Sequence, residues 1–405
     1  MRGWRAIYTI GVACLLSGFG LTGCASGGPT VSVSNPTDMD RTGEMAEFSY
    51  PELVNKYAWA AEGFVIRDES GAEVPYQRLS DGQVIFPVSL KARQQAVYKL
   101  EAGQPAPVQP VACGRQYPER LDDIAWENDK SGYRAYGPAL QRTGERAYGY
   151  DIMVKNVGQP VLEQRYALEL DTAARRQIAL WRKAGEKMRA DSLARAISYH
   201  VDHGNGMDCY AVGPTLGGGT TALWIDSALV YPYCYKDYEI IDNGPLRFTL
   251  QLTFPPVAVK GDTAVVEKRI ISLDAGSSLN QTWVTYEHLS QPAEVAAGIV
   301  IHPQNPEGYR YDKDKRFIAY ADSTDNAQAG NGVIYVGAVF KEPLSDACVD
   351  EGHVLGISPY QPGTAFCYYW GSGWSKAGIS SMEAWCDYLN QYAQRLEHPL
   401  LVEIK

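Results

Sequence analysis

The sequence feature that most limits the possible fold is a set of long segments in which apolar and polar residues alternate. Four such segments are Tyr148 to Asn156, Leu162 to Leu170, Leu246 to Phe254 and Thr263 to Leu273. Alternation at every second residue is the pattern of a β-strand with one buried face. A proline- and glycine-containing connection joins the last two segments, which is typical of a hairpin. The pattern predicts a mostly antiparallel, all-β architecture.

Two segments predict helices instead. Thr172 to Ile197 is rich in helix formers and is interrupted by Gly185, and Ser380 to Glu397 starts with a serine and repeats apolar residues at the helical period. We expect the second helix to pack one face onto the body. Further strands are predicted at Asn280 to His288, Ala296 to Ile301 and Gly332 to Phe340.

The first part of the chain has a different sequence pattern, in which short predicted strands are separated by turn residues. It predicts a small β-sandwich module over 31–105, followed by a proline-rich connector. The 405 residues exceed the usual size of one domain. We therefore expect a second, larger catalytic domain over 111–405.

The N-terminus indicates export. Arg2 and Arg5 precede an apolar run that ends in Leu21-Thr22-Gly23-Cys24, and this order is typical of a cleaved signal peptide. The cysteine predicts a lipoprotein signal over 1–23, a lipid on Cys24 and a flexible tether over 24–30; an ordinary signal with a chance cysteine is the alternative. We expect a lipid-anchored protein of the cell envelope, on the periplasmic side or at the outer membrane.

Composition limits the partners. A formal charge of −10 argues against nucleic acid, but an acidic sugar needs only a local group of cations. The 27 Tyr and 9 Trp residues suit sugar binding, and they also suit any large β-sheet protein. Six cysteines follow Cys24, which allows up to three disulfides or unpaired buried thiols.

The first candidate functional stretch runs from Glu119 to Gly137. It holds several acids, an amide and two arginines around one tryptophan. It is either a functional loop or a solvated loop tied by ion pairs. The candidate binding residues in it are Arg120, Asp123, Trp126, Asn128 and Arg134, with Tyr136 as a candidate catalytic residue.

The second stretch carries His200 and His203 beside Asp202 and Asp208. Histidine titrates near neutrality and can act as general acid or base. The same residues could hold a metal, but their spacing matches no established metal motif. We expect no required cofactor, although a bound divalent metal remains possible. The chain has no Gly-x-Ser-x-Gly elbow, no His-Glu-x-x-His and no dinucleotide fingerprint.

Two further stretches lie nearer the C-terminus. His302 ends a predicted strand, and a lone histidine there is more often structural. Trp370 and Trp374 flank a Gly-Ser-Gly bend that is followed by Lys376, which favours a binding edge over core packing.

The stretches that begin at Glu119, Tyr199 and Trp370 resemble together a family of exported proteins from polysaccharide-degrading bacteria, to which the ulvan oligosaccharide dehydratase is similar. The resemblance runs from about Val31 to the C-terminus. It implies a galactose-mutarotase-like supersandwich as the main fold. It also implies loss of water across C4–C5 of a uronate at the non-reducing end of an oligosaccharide, which gives a 4,5-unsaturated sugar. It assigns no catalytic residue.

Such a reaction needs a base for the C5 proton, a cradle for the carboxylate and an acid for the departing hydroxyl. For these roles we predict His203 or His200 as the base and Lys376 or Tyr136 as the acid. Arg120 and Arg134 would clamp the carboxylate. The predicted stacking walls are Trp126, Trp370 and Trp374.

Three further functions stay open. A polysaccharide or oligosaccharide lyase would cleave a uronate glycosidic bond by the same proton abstraction. A non-catalytic glycan-binding lipoprotein would need the tryptophans but not the histidines. Mutarotase or epimerase activity would follow from fold analogy alone. The oligomeric state is left open.

Overall fold

A computed structural model describes residues 28–314, 316–324 and 327–405. The predicted signal peptide, the lipidation site Cys24 and the tether up to residue 27 lie outside these residues, and they stay predictions. Within the described part of the chain, no helix is both long enough and apolar enough to cross a membrane.

The N-terminal part is a sandwich of two small sheets. Its elements are β1 (Thr30–Ser34), β2 (Arg41–Ser49), α1 (Tyr50–Lys56), a 3-10 turn (Ala58–Glu62), β3 (Phe64–Arg67), β4 (Glu73–Val74), β5 (Gln77–Arg78), β6 (Gln83–Leu90) and β7 (Gln95–Ala102). One sheet has the order β1-β7-β3-β4, and the other has the order β2-β6-β5. Apolar side chains such as Val31, Phe64 and Phe86 fill the space between them.

The C-terminus returns to this sandwich. The last strand, Leu401–Ile404, pairs antiparallel with β1, with Val31 opposite Ile404. Buried Arg41 holds the approach to that strand, because its guanidinium donates to the carbonyl of His398 and its Nε donates to Asn35 Oδ1 at 3.0 Å. The N-terminal sheet is therefore completed by residues from the opposite end of the chain.

A second sheet, with helices on one side, follows the connector. Its elements are β8 (Cys113–Tyr117), a 3-10 turn (Pro118–Arg120), β9 (Asp123–Glu127), β10 (Ser131–Ala135), α2 (Pro138–Arg142), β11 (Asp151–Val154), α3 (Leu162–Glu169), α4 (Thr172–Lys183), α5 (Lys187–Ile197) and β12 (Met207–Asp208). The strand order is β12-β11-β10-β9-β8, and the ladders from β8 to β12 are antiparallel.

Two more antiparallel sheets, one of five strands and one of nine, lie in the rest of the chain. The elements of this part are β13 (Gly218–Ile225), β14 (Ala228–Val230), β15 (Asp237–Asn243), β16 (Arg247–Thr253), β17 (Val257–Val259), β18 (Asp262–Asp274), β19 (Leu279–Glu287), β20 (Ala293–Val300), β21 (Tyr309–Asp312), β22 (Phe317–Asp322), a 3-10 turn (Ala327–Ala329), β23 (Ile334–Phe340), β24 (Asp346–Asp350), β25 (His353–Tyr360), β26 (Phe366–Trp374), α6 (Met382–Glu397) and β27 (Leu401–Ile404), the strand that joins the N-terminal sheet. The orders are β14-β13-β20-β25-β24 and β15-β16-β18-β19-β26-β23-β22-β21, with β17 on β18.

One main core joins the last three sheets. It contains Trp126 and Tyr133 from the helix-flanked sheet, Val295 from the five-stranded sheet, and Val336 and Trp370 from the nine-stranded sheet. The prediction of a mostly β protein with a C-terminal helix is confirmed.

One predicted strand is wrong. Leu162 to Leu170 contains the helix α3, in which Leu162 and Tyr166 are buried one turn apart. The helix starts on a buried carboxylate, because Glu127 accepts hydrogen bonds from the backbone N–H groups of Val161 and Leu162, both at 2.8 Å. A negative charge at a helix N-terminus stabilises it. This partner comes from β9, so the local pattern could not reveal it.

The two predicted helical segments are confirmed. Thr172 to Ile197 forms α4 and α5, which are separated at Gly185 with a positive φ of 78°. The Ser380–Glu397 segment forms α6, where the Ser381 hydroxyl accepts a hydrogen bond from the N–H of Ala384.

Cys113, Cys234, Cys348 and Cys367 are thiols in the structure. Burial raises the pKa of Cys113, Cys234 and Cys367 to about 11. These side chains are therefore protonated packing groups near neutral pH rather than reactive thiolates.

Packing of α6 can be tested with two neighbouring positions. Leu389 is fully buried against the nine-stranded sheet, whereas Asp387 is exposed on the same helix. Leu389→Ala should lower the free energy of unfolding by about 2–5 kcal/mol through lost burial and a residual cavity, and Asp387→Ala should change it by less than about 0.5 kcal/mol. Urea unfolding measures both. Equal effects would contradict the observed orientation of α6.

Candidate active site

Four adjacent strands each supply one charged side chain to the same place. These residues are Asp123 on β9, Arg134 on β10, Asp151 on β11 and Asp208 on β12. Arg134 lies opposite Asp151 in the ladder, while its neighbours Tyr133 and Ala135 point into the main core. Because side chains alternate across a strand, Arg134 lies on the face that carries α3 and α5. We call Arg120, Asp123, Arg134, Tyr136, Asp151 and Asp208 the arginine cluster.

Arg134 is the centre of this cluster. Its guanidinium donates to the carboxylate of Asp151 and to the hydroxyl oxygen of Tyr136 at 3.2 Å. Asp123 and Asp208 each approach it at 3.5 Å. The Tyr136 hydroxyl in turn donates to Asp151 at 3.1 Å. Arg134 is therefore neutralised by the protein itself, so the structure does not support its predicted role as a free carboxylate clamp.

Arg120 has more capacity for a ligand. Its guanidinium lies 4.2 Å and 4.5 Å from the ring centres of Tyr166 and Tyr199. One nitrogen donates to the Tyr199 hydroxyl at 2.9 Å, and Nε is 3.9 Å from Asp123 Oδ2. Nε has no hydrogen-bond partner in the described part of the chain. The side chain is 11% exposed, so it lies where the cluster meets solvent.

Burial and charge set the proton states here. Burial raises the pKa of Asp123 to about 6, although Arg134 and Arg120 oppose the shift. Burial also raises the pKa of Tyr136 well above its usual value, against the effect of Arg134. Tyr136 is therefore a neutral phenol that can donate a proton, and Asp123 exchanges its proton close to neutral pH.

His200 lies at the exposed side of the cluster. Its ring is 4.1 Å from the ring of Tyr199, centre to centre, and its side chain is 54% exposed. Nδ1 is 3.0 Å from the carbonyl oxygen of Asp208. A carbonyl only accepts hydrogen bonds, so Nδ1 must carry the proton in this contact. The neutral ring then has its lone pair on Nε2, which is the form of a general base.

A histidine–aspartate pair lies near the arginine cluster, beside Tyr210. His302 Nδ1 is 2.5 Å from Asp322 Oδ2, and the ring of Tyr210 contacts that of His302 with centres 5.8 Å apart. Burial raises the pKa of Tyr210 well above its usual value, and Asp322 and Asp151 add to the effect. The Tyr210 hydroxyl has no hydrogen-bond partner among the described residues. Tyr210 is therefore close to both Asp322 and Asp151.

The structure brings five predicted residues together and separates the others. The five are Arg120, Asp123, Arg134, Tyr136 and His200. His203 is exposed, and its Nε2 lies 3.0 Å from the carbonyl oxygen of Ser198. No contact in the described residues joins His203 to the cluster, so its predicted role as base is not supported.

Trp126, Trp370 and Asn128 are corrected to structural roles. Trp126 and Trp370 are fully buried, and Trp370 stacks on Tyr150 at 4.0 Å between ring centres. A ring enclosed in the core cannot present a face to a sugar. The side-chain amide of buried Asn128 donates to the carbonyls of Asp274 and Ser277 at 2.6 and 2.7 Å, so it ties two loops together.

Lys376 is not part of the cluster. It lies with Trp374 in a separate cleft, whose described lining contains no cluster residue. Its Nζ is 5.5 Å from the centre of the Trp374 ring. Trp374 is only 2% exposed, so its face is mostly covered. Lys376 and Trp374 are therefore separate from the arginine cluster, and their predicted roles as the acid and as a wall of the site stay predictions.

Sequence reasoning missed Asp151, Tyr210 and Asp322. Asp151 gains its role from the register of β10 and β11, and Asp322 gains its role from the position of His302 beside the end of β22. Neither the strand register nor the position of His302 beside β22 can be predicted from a local sequence pattern. Among the described residues, no group of three or more His, Cys, Asp or Glu side chains is arranged to hold a metal ion.

Asp123 makes stability depend on pH. Because its folded pKa is raised from 3.8 to about 6, the folded state binds more protons than the unfolded state between these values. Its contribution to the free energy of unfolding therefore falls, by about 3 kcal/mol, as pH rises through this window. Asp123→Asn removes the titration, so the substitution should cost more at about pH 4 than at pH 7.

Urea unfolding at both pH values checks this, and Asp38 is the control. A hydrogen bond from Arg93 lowers the pKa of Asp38 below its ordinary value of 3.8, so its contribution is lost only at more acidic pH, and Asp38→Asn should cost nearly the same at about pH 4 as at pH 7. An Asp123→Asn cost that is the same at both pH values would contradict the assignment.

Comparison with known proteins gives a relative over nearly the full length. The chain is 24% identical over 396 residues to the uncharacterized protein P7 of Formosa agariphila, covering 93% of each chain. Among solved structures, it is similar to a protein in the glycosyl hydrolase family 38 and to an alpha-mannosidase, both from Enterococcus faecalis.

The TM-scores of these two structures are 0.49 and 0.45, each at 9% identity, and they cover 94% and 93% of this chain. The chain spans about half the length of these structures, 48% and 46%. Neither likeness is close enough to transfer an activity. A family model described as a domain of unknown function, DUF4861, matches residues 33–402, which is nearly the whole chain, and the protein therefore belongs to that family.

Proposed function

We propose that the protein is an enzyme that acts on uronic-acid oligosaccharides and eliminates water across C4–C5 of a uronate at the non-reducing end. The observation that supports this best is the position of His200 beside Arg120, through Tyr199. A base with its lone pair on Nε2 and a partly exposed guanidinium, 11% exposed, therefore lie next to each other at the edge of the arginine cluster. Removal of a proton next to a carboxylate needs both groups.

The reaction assigns one task to each group. Arg120 binds the uronate carboxylate and stabilises the charge that develops on it when the C5 proton leaves. His200 Nε2 takes that proton. The C4–O bond then breaks, its electron pair leaves with the oxygen, and the electrons of the former C5–H bond form the C4=C5 double bond.

The departing hydroxyl needs a proton to leave as water. Tyr136 is the proposed donor, because its buried phenol stays protonated and its oxygen contacts both Arg134 and Asp151. Arg134 positions Tyr136 and offsets the phenolate charge that forms. Asp123, with its pKa of about 6, lies close enough to Arg120 and Arg134 to adjust the charge of the site near neutral pH.

The choice of this reaction over other acid–base reactions rests on the resemblance of the three sequence stretches to an exported family, to which the ulvan oligosaccharide dehydratase is similar. With it we propose that the three sheets around the main core form a supersandwich of the galactose-mutarotase type. The polysaccharide lyase is the nearest alternative, because it needs the same base and the same cation and differs only in the leaving group.

The two neighbouring histidines give a matched test of the base. His200→Gln should lower kcat by at least about a hundredfold, because a positioned general base contributes about that much. His203→Gln should keep turnover within about twofold, because His203 is exposed and bonded only to a backbone carbonyl. Absorbance of the unsaturated uronate, on oligosaccharides from pectin, ulvan and glycosaminoglycans, measures both. Equal turnover of the two variants would refute His200 as the base.

Mass spectrometry of the same reactions separates the possible functions. Loss of one water with the chain length retained establishes the dehydratase. Two shorter products, one of them unsaturated, establish the lyase. Unchanged acidic oligosaccharides in every reaction would reject both enzymes in favour of a glycan-binding protein.

We further propose that the protein works at the cell envelope, held by a lipid on Cys24. Cys24→Ser should move the protein from the membrane pellet to the soluble fraction, because the lipid is the proposed attachment. Immunoblotting of both fractions measures this. A Cys24→Ser protein that still sediments with membranes would contradict the anchor.

A further inference from the structure

A large cleft lies apart from the arginine cluster. It is bounded by residues 42–45 of the N-terminal sandwich, by the turn between β9 and β10, by the segment that follows β11 and by α6. Its volume is about 1170 Å³. That volume is slightly above the usual range for small-molecule sites, which leaves room for more than one sugar ring. We call this space the α6 cleft.

The acidic side chains of the α6 cleft are already paired. Each has a cation within 3.3 Å, in the pairs Glu44–Arg41, Asp129–Lys130 and Asp274–Arg247. Arg41 and Arg247 are largely buried behind the lining. The carboxylates are therefore neutralised by their paired cations and add little negative potential to the cleft.

Three cations of the cleft lack such partners. Lys341, Lys376 and Arg395 form no ion pair with a carboxylate in the described part of the chain. The two lysines are exposed, and the Nε of half-buried Arg395 has no hydrogen-bond partner among the described residues. The cleft thus has an excess of positive charge in a protein whose net charge is −10.

Aromatic rings lie beside these cations. Tyr388 and Tyr392 are one turn apart on α6, with ring centres separated by 6.2 Å, and Arg395 follows three residues later on the same side. Both tyrosines are half-buried. Tyr388 stacks on Trp385 with ring centres 5.2 Å apart, and its hydroxyl oxygen accepts a hydrogen bond from the N–H of Ser278 at 3.2 Å. The exposed parts of the two rings can contact the C–H groups of a sugar, and the Tyr388 hydroxyl can still donate a hydrogen bond, so rings next to unpaired cations suit an acidic sugar chain.

We propose that the α6 cleft is a second binding site, which holds an anionic uronate chain apart from the reacting end. The choice of a uronate chain rests on the proposed function, whereas the existence of an anion-binding cleft rests on the charges and rings just described. Lys376, which the sequence suggested as a catalytic acid, is in this view a binding residue of the cleft.

Calorimetric titration at low salt with a hexamer of galacturonate tests the cleft. The variant is Lys341→Gln with Lys376→Gln. The control is Lys183→Gln with Lys187→Gln, which removes the same charge from exposed positions on α4 and α5. The cleft variant should bind at least about tenfold more weakly than wild type, because exposed charge pairs in a cleft contribute modestly but add. The control should bind as wild type does.

Two further titrations isolate the site. Arg120→Gln should retain most of the affinity for the hexamer, and the fully methyl-esterified hexamer should bind wild type weakly because its carboxylates are uncharged. The inference would be overturned if the cleft variant and the control bound the hexamer with equal affinity. It would also be overturned if the methyl-esterified hexamer bound as tightly as the charged one. If the hexamer binds in the α6 cleft but no substrate is turned over, the proposed reaction is rejected and the proposed binding site is retained. The two proposals can therefore fail independently.

Discussion

Arg134 is a buried cation, and a buried cation is tolerated only where opposite charge and hydrogen bonds replace the lost water. The structure meets this requirement with Asp123, Asp151 and Asp208, each from a different strand next to or near β10. The register of β9 to β12 is therefore tied to electrostatics as well as to packing. A slip of one residue in β10 would turn Arg134 into the main core and leave three carboxylates without their cation.

In this arrangement Arg134 has a structural role, whereas Arg120 and His200 are the proposed functional groups. Arg134 interacts with three carboxylates and with the Tyr136 hydroxyl, so it holds these four groups in place. Arg120 lies between two tyrosine rings and is partly exposed at the edge of the cluster. His200 is fixed there by a backbone carbonyl that belongs to one of the same carboxylate residues, Asp208. The buried network thus orients Arg120 and His200, the two groups to which the proposed function assigns the carboxylate and the C5 proton.

A second buried pair positions the helical side of this site. Lys155 and Glu127 form an ion pair below the surface, and Glu127 also accepts the N–H groups at the start of α3. Helix α3 supplies Tyr166, one of the two rings that hold Arg120. The position of Arg120 therefore depends on two ionic networks. The network around Arg134 does not line the α6 cleft, whereas Lys155 of the second network does.

Sequence alone determined the features that local chemistry encodes. The break at Gly185, the serine start of α6 and strand alternation each depend on residues close in the chain, and each is found in the structure, except that the alternating segment from Leu162 forms α3. Residue type also identified Arg120, Asp123, Arg134, Tyr136 and His200 as candidates. Only the tertiary structure decided which candidates meet. It placed Trp126 and Trp370 in the core, moved Lys376 to another cleft and added Asp151 through strand register. Burial and cross-strand pairing join residues that are distant in sequence, and a local pattern holds no information about such partners.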